Sequence, residues 1–334
     1  MVPDHRRITT TYPSTLVYSR MADHNLNVLV IAGPTASGKS GLALRLAEEL
    51  GGVVINADSM QVYSDLRVLT ARPSIEDEAR VPHKLYGYLD GAEVCTAAAW
   101  AARAAEEITT ARNNNQVPIV VGGTGLYLKA LIEGLSDIPE VPLEVRQTAR
   151  RLRLEQGNDA LYQSLLDKDP EGAARLKPKD RQRVLRAWEV LEATGTPLHV
   201  WQAKSQPKPL IDGPFHTVLF QPLRENLYAA CNGRFEVMLE CGALAEVEAL
   251  MARGLDLTLP VMKALGVPDL AAFVRGEMSL EDAVTKAQQH TRNYAKRQTT
   301  WFKGQFSASE TLDAQYSESL FKEIFPKIRQ YLLT

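Results

Sequence analysis

Short apolar runs that end in glycine-rich turns alternate with helical patterns over the first half of the chain. Residues 27–32 (NVLVIA) form an apolar run ending at a Gly-Pro turn, which is typical of a buried parallel strand. A helical pattern follows at 39–50, then a strand at 51–57, an alanine-rich helix near 98–112 and a strand at 117–123. This alternation predicts a doubly wound α/β core with a parallel sheet.

The second half of the chain is helical in pattern apart from one strand, HTVLF at 216–220. The stretch at roughly 141–200 is rich in charged residues and helix formers, and almost every segment after residue 225 has a helical pattern. We therefore expect a disordered extension at 1–25, the first part of the core at 26–138, a helical insertion domain at 139–190, and the second part of the core with a helical C-terminal region at 191–334.

Composition limits the class of protein. The 334 residues are 45% hydrophobic and 23% charged, enough for about two domains. No apolar run reaches the roughly 18 residues that a membrane span needs, and the three cysteines are isolated, which fits a reducing compartment. The first 25 residues lack the apolar segment of a secretory signal. We expect a cytoplasmic protein that does not contact membranes.

Basic residues are concentrated in two segments of a chain whose net charge is −2. Residues 141–186 contain eleven Lys and Arg against seven Asp and Glu, and residues 291–304 contain four basic residues and no acid. Two basic patches on an acidic chain favour an anionic partner contacted at defined places. A solvated helix face explains either patch equally well when that patch is taken alone.

The stretch GPTASGKS (33–40) matches the phosphate-loop pattern GxxxxGK[ST], with a strand before it and a helix after it. In such a loop the backbone N–H groups surround phosphate, the lysine reaches a terminal phosphoryl oxygen, and the Ser or Thr ligates Mg²⁺. This predicts a P-loop NTPase-like core. The expected phosphate-binding residues are Gly33, Pro34, Thr35, Ala36, Ser37, Gly38, Lys39 and Ser40, with Ser40 also the metal ligand.

A P-loop enzyme normally has a carboxylate at the end of a neighbouring strand. In this sequence the carboxylate has an unusual position. The most apolar strand, PIVV, ends in Gly122-Gly123-Thr124-Gly125, and the acid instead lies just past the shorter strand at 51–57, as Asp58. An aspartate there lies in the crevice where α/β sheets bind ligands. The residues alone leave three roles open for Asp58: a substitute Mg²⁺ ligand, a base of the kinase type, or a base for a nucleophile other than water.

Eight motifs follow one another along the chain between about residues 28 and 303. They are GPTASGKS (33–40), DSMQVY (58–63), TARP (70–73), PHKL (82–85), GGTGLYLKAL (122–131), DRQRVLRAWEV (180–190), TGTP (194–197) and TRNYAKRQTTWF (291–302). This set resembles the tRNA dimethylallyltransferases, the bacterial-type isopentenyltransferases that act on tRNA. The resemblance implies transfer of the dimethylallyl group from dimethylallyl pyrophosphate to the exocyclic amine of the adenosine 3′-adjacent to the anticodon, with Mg²⁺ as cofactor.

The resemblance also implies a role for individual residues. Asp58 would accept the proton of the adenine amine, while Lys39, Arg234 and the Thr35 hydroxyl would act on the departing pyrophosphate. The residues implied in tRNA contacts are Asp58, Ser59, Met60, Gln61, Thr124, Arg146, Gln182, Arg183, Val184, Leu185, Arg186 and the basic run Arg292 to Gln298, whose basic residues are Arg292, Lys296 and Arg297. The implied partners are the tRNA anticodon stem-loop and dimethylallyl pyrophosphate, and we expect a monomer.

Two other activities remain compatible with the motifs. An adenylate isopentenyltransferase performs the same chemistry on a free nucleotide, but a mononucleotide does not require a second basic domain. A small-molecule or nucleotide kinase would use the phosphate loop on ATP, and labelled ATP compared with labelled dimethylallyl pyrophosphate separates that case. A module that only binds RNA would not need Lys39 and Asp58 in one crevice.

Overall fold

The computed structural model describes residues 27–333, which form six strands, thirteen α-helices and a 3₁₀ turn at Val261–Lys263. The extension predicted at 1–25 lies outside these described residues. The strands are β1 (Val28–Ala32), β2 (Gly52–Asn56), β3 (His83–Lys84), β4 (Val117–Gly122), β5 (Phe215–Phe220) and β6 (Glu310–Leu312). The helices are α1 (Lys39–Leu50), α2 (Ile75–Arg80), α3 (Ala97–Asn113), α4 (Gly125–Ile132), α5 (Leu143–Lys168), α6 (Pro170–Ala174), α7 (Arg181–Thr194), α8 (Leu198–Lys204), α9 (Arg224–Glu240), α10 (Ala243–Ala252), α11 (Val267–Val274), α12 (Leu280–Gln305) and α13 (Glu318–Leu333).

The six strands form one parallel sheet in the order β3-β2-β4-β1-β5-β6. The chain winds to one side of β1 through β2, β3 and β4, and then crosses to the other side for β5 and β6. This reversal beside β1 is the topological switch point at which such sheets bind ligands. The prediction of a doubly wound parallel core is confirmed. β3 and β6 were not predicted, because two or three residues are too few to show a pattern.

Residues of β1 alternate between two hydrophobic cores. Val28, Val30 and Ala32 pack towards α3, α4 and α9 to α12, whereas Leu29 and Ile31 pack towards α1 and α13. All five residues are completely buried. Burial on both faces explains why this strand is a continuous apolar run and shows no alternation with polar residues.

The chain divides into two compact units. The first contains the described residues up to Ile132 and those from Leu210 onward, and the second is Glu133–Pro209. The second unit has its own core, formed mainly by α5, α6 and α7. It extends beyond the insertion expected at 139–190 because α8 also belongs to it: the Trp201 indole donates to the Thr194 hydroxyl at 3.1 Å.

Helix α12 has one buried face along its 26 residues. The buried positions recur every three or four residues, as expected for an amphipathic helix. They are Ala283, Ala287, Thr291, Ala295, Gln298 and Phe302. No helix in the part of the chain that the structure describes is long and apolar enough to cross a membrane.

Strands β2 and β4 end with their backbones in contact. The N–H of Ala57 donates to the carbonyl of Val121 at 2.7 Å, and the N–H of Thr124 donates to the carbonyl of Ala57 at 3.2 Å. A methyl group on Gly122 would overlap the carbonyl carbon and oxygen of Ala57. Because these are backbone atoms of the sheet, position 122 admits only glycine unless the sheet shifts.

We expect Gly122→Ala to lower the free energy of unfolding by about 3 kcal/mol, the upper part of the usual range for overpacking. Chemical denaturation measures this change. Gly304→Ala is the matched control, because no atom lies near that position, and alanine in a helix should leave stability unchanged or raise it by up to about 1 kcal/mol. Equal stability of the two variants would contradict the close contact at Gly122.

Candidate active site

Three loops that follow parallel strands meet at the carboxyl edge of the sheet. The phosphate-loop pattern at 33–40 follows β1, Asp58 follows β2, and the turn at 122–125 follows β4. Because β4 lies between β1 and β2, the three loops occupy neighbouring positions along this edge. The sheet therefore brings the residues predicted for chemistry into one crevice.

The phosphate loop presents backbone donors at the start of α1. Gly38 is the N-cap of α1 and has a φ of 87°, a left-handed conformation that glycine adopts without steric cost. The N–H groups of Gly38, Lys39 and Ser40 have no hydrogen-bond acceptor among the described residues. Free N–H groups at a helix N-terminus, together with the helix dipole, favour a bound anion. The loop thus has the backbone geometry of a phosphate site.

Lys39 faces a carboxylate and a guanidinium in this crevice. Its ammonium donates a hydrogen bond to the carbonyl of Pro34 at 3.2 Å. Burial lowers the pKa of Lys39 from 10.5 to about 8; the charge of Asp58 opposes this shift, and the charge of Arg234 adds to it. Two cations and one carboxylate therefore share the crevice, which leaves a net positive charge where the loop presents its N–H groups.

Arg234 reaches the phosphate loop from the middle of α9. Its guanidinium donates a hydrogen bond to the hydroxyl of Thr35. Burial lowers the pKa of Arg234, but a guanidinium remains charged at physiological pH. Arg234 and Thr35 therefore extend the anion site beyond the backbone donors of the loop, and the structure brings both together with Lys39.

Gln298, the last residue of the basic run implied in tRNA contacts, links the phosphate loop to the turn after β4. Its side-chain oxygen accepts from the N–H of Thr35 at 2.8 Å, and its side-chain nitrogen donates to the carbonyl of Gly123 at 2.8 Å. Only 6% of Gln298 is exposed. A long polar side chain within a stripe that is otherwise Ala, Thr and Phe is the sequence signal that marks it.

Hydrogen bonds hold both the backbone and the side chain of Asp58. Its backbone N–H donates to the side-chain oxygen of Asn56 at 2.8 Å, and Asn56 donates back to the carbonyl of Asp58 at 3.0 Å. One carboxylate oxygen, Oδ1, accepts from the N–H of Met60 at 2.9 Å. The other, Oδ2, has no hydrogen-bond partner among the described residues. The carboxylate is therefore oriented and keeps one oxygen available.

Two tyrosines, Tyr294 and Tyr86, lie close enough to Asp58 to interact with its charge. Burial raises the pKa of Tyr294, and the Asp58 charge raises it further, while a hydrogen bond with the Thr124 side chain opposes the shift. Burial raises the pKa of Tyr86 as well, again with a contribution from Asp58. Both phenols thus stay protonated beside the carboxylate. No local pattern marks Tyr86, whereas Tyr294 lies within the motif at 291–302.

The other polar residues of the DSMQ motif are also fixed in orientation. The N–H of Ser59 donates to the hydroxyl of Thr124 at 2.9 Å, and that hydroxyl lies 3.3 Å from the Ser59 hydroxyl. The side-chain nitrogen of Gln61 donates to the carbonyls of Thr70 at 2.9 Å and Ala71 at 2.8 Å. The side-chain oxygen of Gln61 therefore points away from these two carbonyls.

The predicted basic residues of α12 point in different directions. Arg292 donates to the side-chain oxygen of Asn232 at 2.6 Å, and the guanidinium of Arg297 lies over the Tyr294 ring, 5.6 Å from its centre. Lys296 lines a cavity of about 460 Å³ between the first turns of α9 and the end of α12. Only Arg297 is thus directly associated with a residue beside Asp58.

The remaining predicted tRNA contacts belong to the second unit. The side chain of Arg183 is 72% exposed and pairs with Asp180 at 3.5 Å, and Gln182 is also exposed. Leu185 is partly buried against the core of this unit. Val184 is completely buried in that core, so its side chain stabilises the unit and is not accessible to RNA.

Arg146 and Arg186 surround one buried carboxylate within the second unit. Glu189 is 8% exposed; burial raises its pKa, and Arg186 and Arg146 are the strongest of four arginines that oppose the shift. The Nε of Arg146 is buried without a hydrogen-bond partner among the described residues. These two arginines are therefore partly neutralised by Glu189, whereas Arg183 is open to solvent.

The fold and the site define a P-loop α/β enzyme with an anion-binding crevice. The family model described as IPP transferase matches residues 61–305. The chain is 57% identical over 286 residues to the tRNA dimethylallyltransferase of Rhodospirillum centenum, covering 86% of this chain and 91% of the relative. It is 50% identical over 314 residues to the protein of the same name from Paramagnetospirillum magneticum, covering 94% and 99%. The chain belongs to the IPP transferase family.

Solved structures agree with this family. The tRNA isopentenylpyrophosphate transferase of Bacillus halodurans aligns with a TM-score of 0.66 and 30% identity, over 92% of this chain and 96% of that one. A eukaryotic dimethylallyltransferase acting on tRNA aligns with a TM-score of 0.74 and 26% identity, over 91% and 80%. These neighbours confirm the predicted P-loop NTPase-like fold and the family resemblance.

Anion binding at the loop should weaken as the pH rises through about 8, where Lys39 loses its charge. We expect the affinity for inorganic pyrophosphate, measured by titration calorimetry at several pH values around this point, to fall on the alkaline side. Lys39→Arg should lack this loss, because guanidinium stays charged. Comparison in the same buffers removes the titration of pyrophosphate itself. Identical pH profiles for both proteins would exclude Lys39 as the titrating group.

Proposed function

We propose that this protein transfers the dimethylallyl group from dimethylallyl pyrophosphate to the exocyclic amine of the adenosine 3′-adjacent to the anticodon in tRNA. The products are N6-dimethylallyladenosine and pyrophosphate. The observation that carries the proposal is the convergence of Lys39, Asp58 and Arg234 in one crevice. The relatives named tRNA dimethylallyltransferase support the same reaction.

The phosphate loop would bind the diphosphate of the prenyl donor. Dimethylallyl pyrophosphate carries the same diphosphate that such a loop holds in a nucleotide, so the loop suits this donor without any hydrolysis of ATP. Negative charge accumulates on the pyrophosphate as the bond to the dimethylallyl group breaks. Lys39, Arg234 and the free N–H groups at the start of α1 lie where they would stabilise that charge.

Asp58 would accept the proton of the attacking amine. The lone pair of an adenine amine is delocalised into the ring, so the amine is a poor nucleophile until a base removes its proton. The available carboxylate oxygen of Asp58 is suited to this role. The ammonium of Lys39 interacts electrostatically with this carboxylate, so the base and the anion site lie in the same crevice.

The adenine would enter the crevice between polar side chains and phenol rings. A base in an anticodon loop is already partly unstacked, so extrusion costs only a few kcal/mol. Ser59, Thr124 and the side-chain oxygen of Gln61 offer hydrogen-bonding groups, and Tyr294 and Tyr86 offer flat apolar surfaces beside Asp58. This set of groups suits a flat, polar-edged purine.

The residues present also fit a magnesium ion held mainly by the diphosphate. Ser40 is exposed in the first turn of α1, and its hydroxyl makes no hydrogen bond to the described residues. Those residues contain no group of three or more His, Cys, Asp or Glu side chains that could hold a metal ion. Mg²⁺ commonly binds through few protein ligands, substrate phosphates and water, so Ser40 would be its protein ligand. The ion would neutralise charge on the leaving pyrophosphate.

The anticodon stem-loop of tRNA is the macromolecular partner in this proposal. The basic residues of α12 and the exposed basic residues of the second unit would contact its phosphates. The other positions predicted from the sequence would also contact tRNA, except for the buried side chain of Val184. The reaction would take place in the cytoplasm, and we expect the enzyme to act as a monomer.

Incubation of unmodified tRNA with the protein and dimethylallyl pyrophosphate, followed by nucleoside mass spectrometry, tests the reaction. We expect a dimethylallyl mass gain on adenosine, and Asp58→Asn should lower the single-turnover rate by roughly 10²–10⁴, the usual contribution of a general base. Asp137→Asn, at an exposed carboxylate of the second unit, is the control. Hydrolysis of labelled ATP without prenyl transfer would indicate a kinase or ATPase instead.

We expect Arg183→Gln combined with Arg186→Gln to weaken tRNA binding and to flatten its salt dependence, by roughly 0.7–0.9 in the slope for each lost phosphate contact. Titration of tRNA at several salt concentrations measures the slope of log affinity against log salt concentration. Arg80→Gln removes an exposed cation that pairs with Glu48 and is the control. If the double variant melts earlier but keeps the wild-type slope, these arginines serve only the internal pairs with Asp180 and Glu189.

A further inference from the structure

Two carbonyl groups of the phosphate loop are held by a segment from the far end of the chain. This segment, residues 313–317 between β6 and α13, we call the brace. The side-chain nitrogen of Gln315 donates to the carbonyl of Ala36 at 3.1 Å, and the backbone N–H of Tyr316 donates to the carbonyl of Ser37 at 3.4 Å. The brace lies outside the residues that the family model matches.

These two hydrogen bonds set the direction of two N–H groups of the loop. In a trans peptide the C=O and the N–H point to opposite sides, and the described residues contain no cis peptide bond. The carbonyl of Ala36 shares its peptide unit with the N–H of Ser37, and the carbonyl of Ser37 shares its unit with the N–H of Gly38. Holding both carbonyls towards the brace therefore turns both N–H groups away from it, towards the crevice.

Neither N–H group is committed to a strong bond within the protein. The N–H of Ser37 makes a long bond of 3.4 Å to the carbonyl of Pro34, and the N–H of Gly38 has no acceptor among the described residues. Both are thus available to a diphosphate, provided that the peptide units keep their orientation.

The loop needs support because Ala36 has a strained backbone. Its φ of 61° is left-handed, a conformation that costs free energy for a residue with a Cβ and persists only where its surroundings fix it. The methyl group of Ala36 packs against Leu227, Cys231 and Ala295 on one side. The hydrogen bond from Gln315 fixes the carbonyl of the same residue, so the brace supplies the second constraint.

Tyr316 also packs directly on the first turn of α1. A methyl group at Gly38 would lie 2.6 Å from the Cβ of Tyr316, and one at Gly41 would lie 2.9 Å from its ring. Gly41 is not part of the GxxxxGK[ST] pattern, and contact with the Tyr316 ring explains why this position is glycine. The brace therefore packs closely against the phosphate loop and the first turn of α1, and glycine at positions 38 and 41 makes this packing possible.

The brace is anchored on both sides of the loop. At its start, the N–H of Gln221 donates to the carbonyl of Leu312 at 2.8 Å, which continues the pairing of β6 with β5. At its end, the Tyr316 hydroxyl donates to Glu318 at 2.6 Å, and Glu318 lies 3.9 Å from Arg45 of α1. The segment is thus fixed to the strand beside β1 and to the helix that follows the loop.

We propose that Gln315 and Tyr316 are positioning residues for the transfer reaction, holding the phosphate loop so that the N–H groups of Ser37 and Gly38 face the diphosphate. The inference rests on the proposed function, because it assumes that the loop binds a diphosphate. It predicts a specific effect: loosening the brace weakens binding of the diphosphate and leaves the binding of tRNA unchanged.

The experiment compares Gln315→Ala and Tyr316→Ala with the wild-type protein. Calorimetry measures the affinity for inorganic pyrophosphate, and steady-state kinetics measure KM for dimethylallyl pyrophosphate and for tRNA. Gln315→Ala removes one hydrogen bond to the loop, and Tyr316→Ala removes the ring that packs on Gly41. We expect each variant to lose about tenfold in pyrophosphate affinity, which for Gln315→Ala is the effect of about one hydrogen bond. KM for dimethylallyl pyrophosphate should rise to match, while KM for tRNA stays constant.

Two further variants separate positioning from general stability. Both Tyr316 variants keep the backbone N–H that bonds Ser37. Tyr316→Phe also keeps the ring that packs on Gly41, so it should retain most of the affinity that Tyr316→Ala loses. Phe325→Ala removes an aromatic ring of α13 that stacks on Phe321 and should lower the melting temperature without changing pyrophosphate affinity.

Three outcomes would overturn the inference. Wild-type affinity in both Gln315→Ala and Tyr316→Ala would show that the loop holds its shape without the brace. An equal loss in Phe325→Ala would show that packing in general, and not this contact, supports the site. If the wild-type protein itself bound neither pyrophosphate nor dimethylallyl pyrophosphate, the proposed function would fail first, and the inference with it.

Discussion

The crevice depends on the close approach of α12 to the ends of β2 and β4. Gly122 lies against the backbone of Ala57, a side chain at Gly123 would overlap the amide of Gln298, and one at Gly125 would overlap the indole of Trp301. Gly122 thus lets the ends of β2 and β4 approach each other, and Gly123 and Gly125 leave room for the side chains of α12. Only with this close packing can one side chain, Gln298, hydrogen-bond both to Thr35 and to Gly123.

The packing of α12 on the sheet brings together charged side chains that would destabilise an ordinary core. Lys39 and Arg234 are both shifted towards their neutral forms by burial, and Asp58 supplies one negative charge against two positive ones. A site with excess positive charge lowers stability in the absence of a partner and favours an anion as it binds. The crevice is therefore preorganised for a group with several negative charges, as a diphosphate is.

The sequence predicts those features that a short stretch of chain determines. The four longer strands are recognisable because burial on both faces makes them continuous apolar runs, and the phosphate loop is recognisable from the spacing of Gly33, Gly38, Lys39 and Ser40. Features that depend on distant contacts are not visible in this way. Tyr86, Gln298 and Tyr316 acquire their positions only when separate elements pack together, and the residues alone leave three roles open for Asp58.

The second unit shows why a count of charges is a poor guide to an RNA surface. The excess of basic residues at 141–186 suggests an evenly attractive face, yet Arg146 and Arg186 lie around the buried carboxylate of Glu189, and Arg183 pairs with Asp180. The ion pair of Arg183 is exposed to solvent, so it contributes little and can exchange for a phosphate. If Arg186 did the same, Glu189 would keep the charges of its other three arginine neighbours. In the proposed function, exposed Arg183 should therefore contribute more to the affinity for RNA than Arg186, whose charge is shared with Glu189.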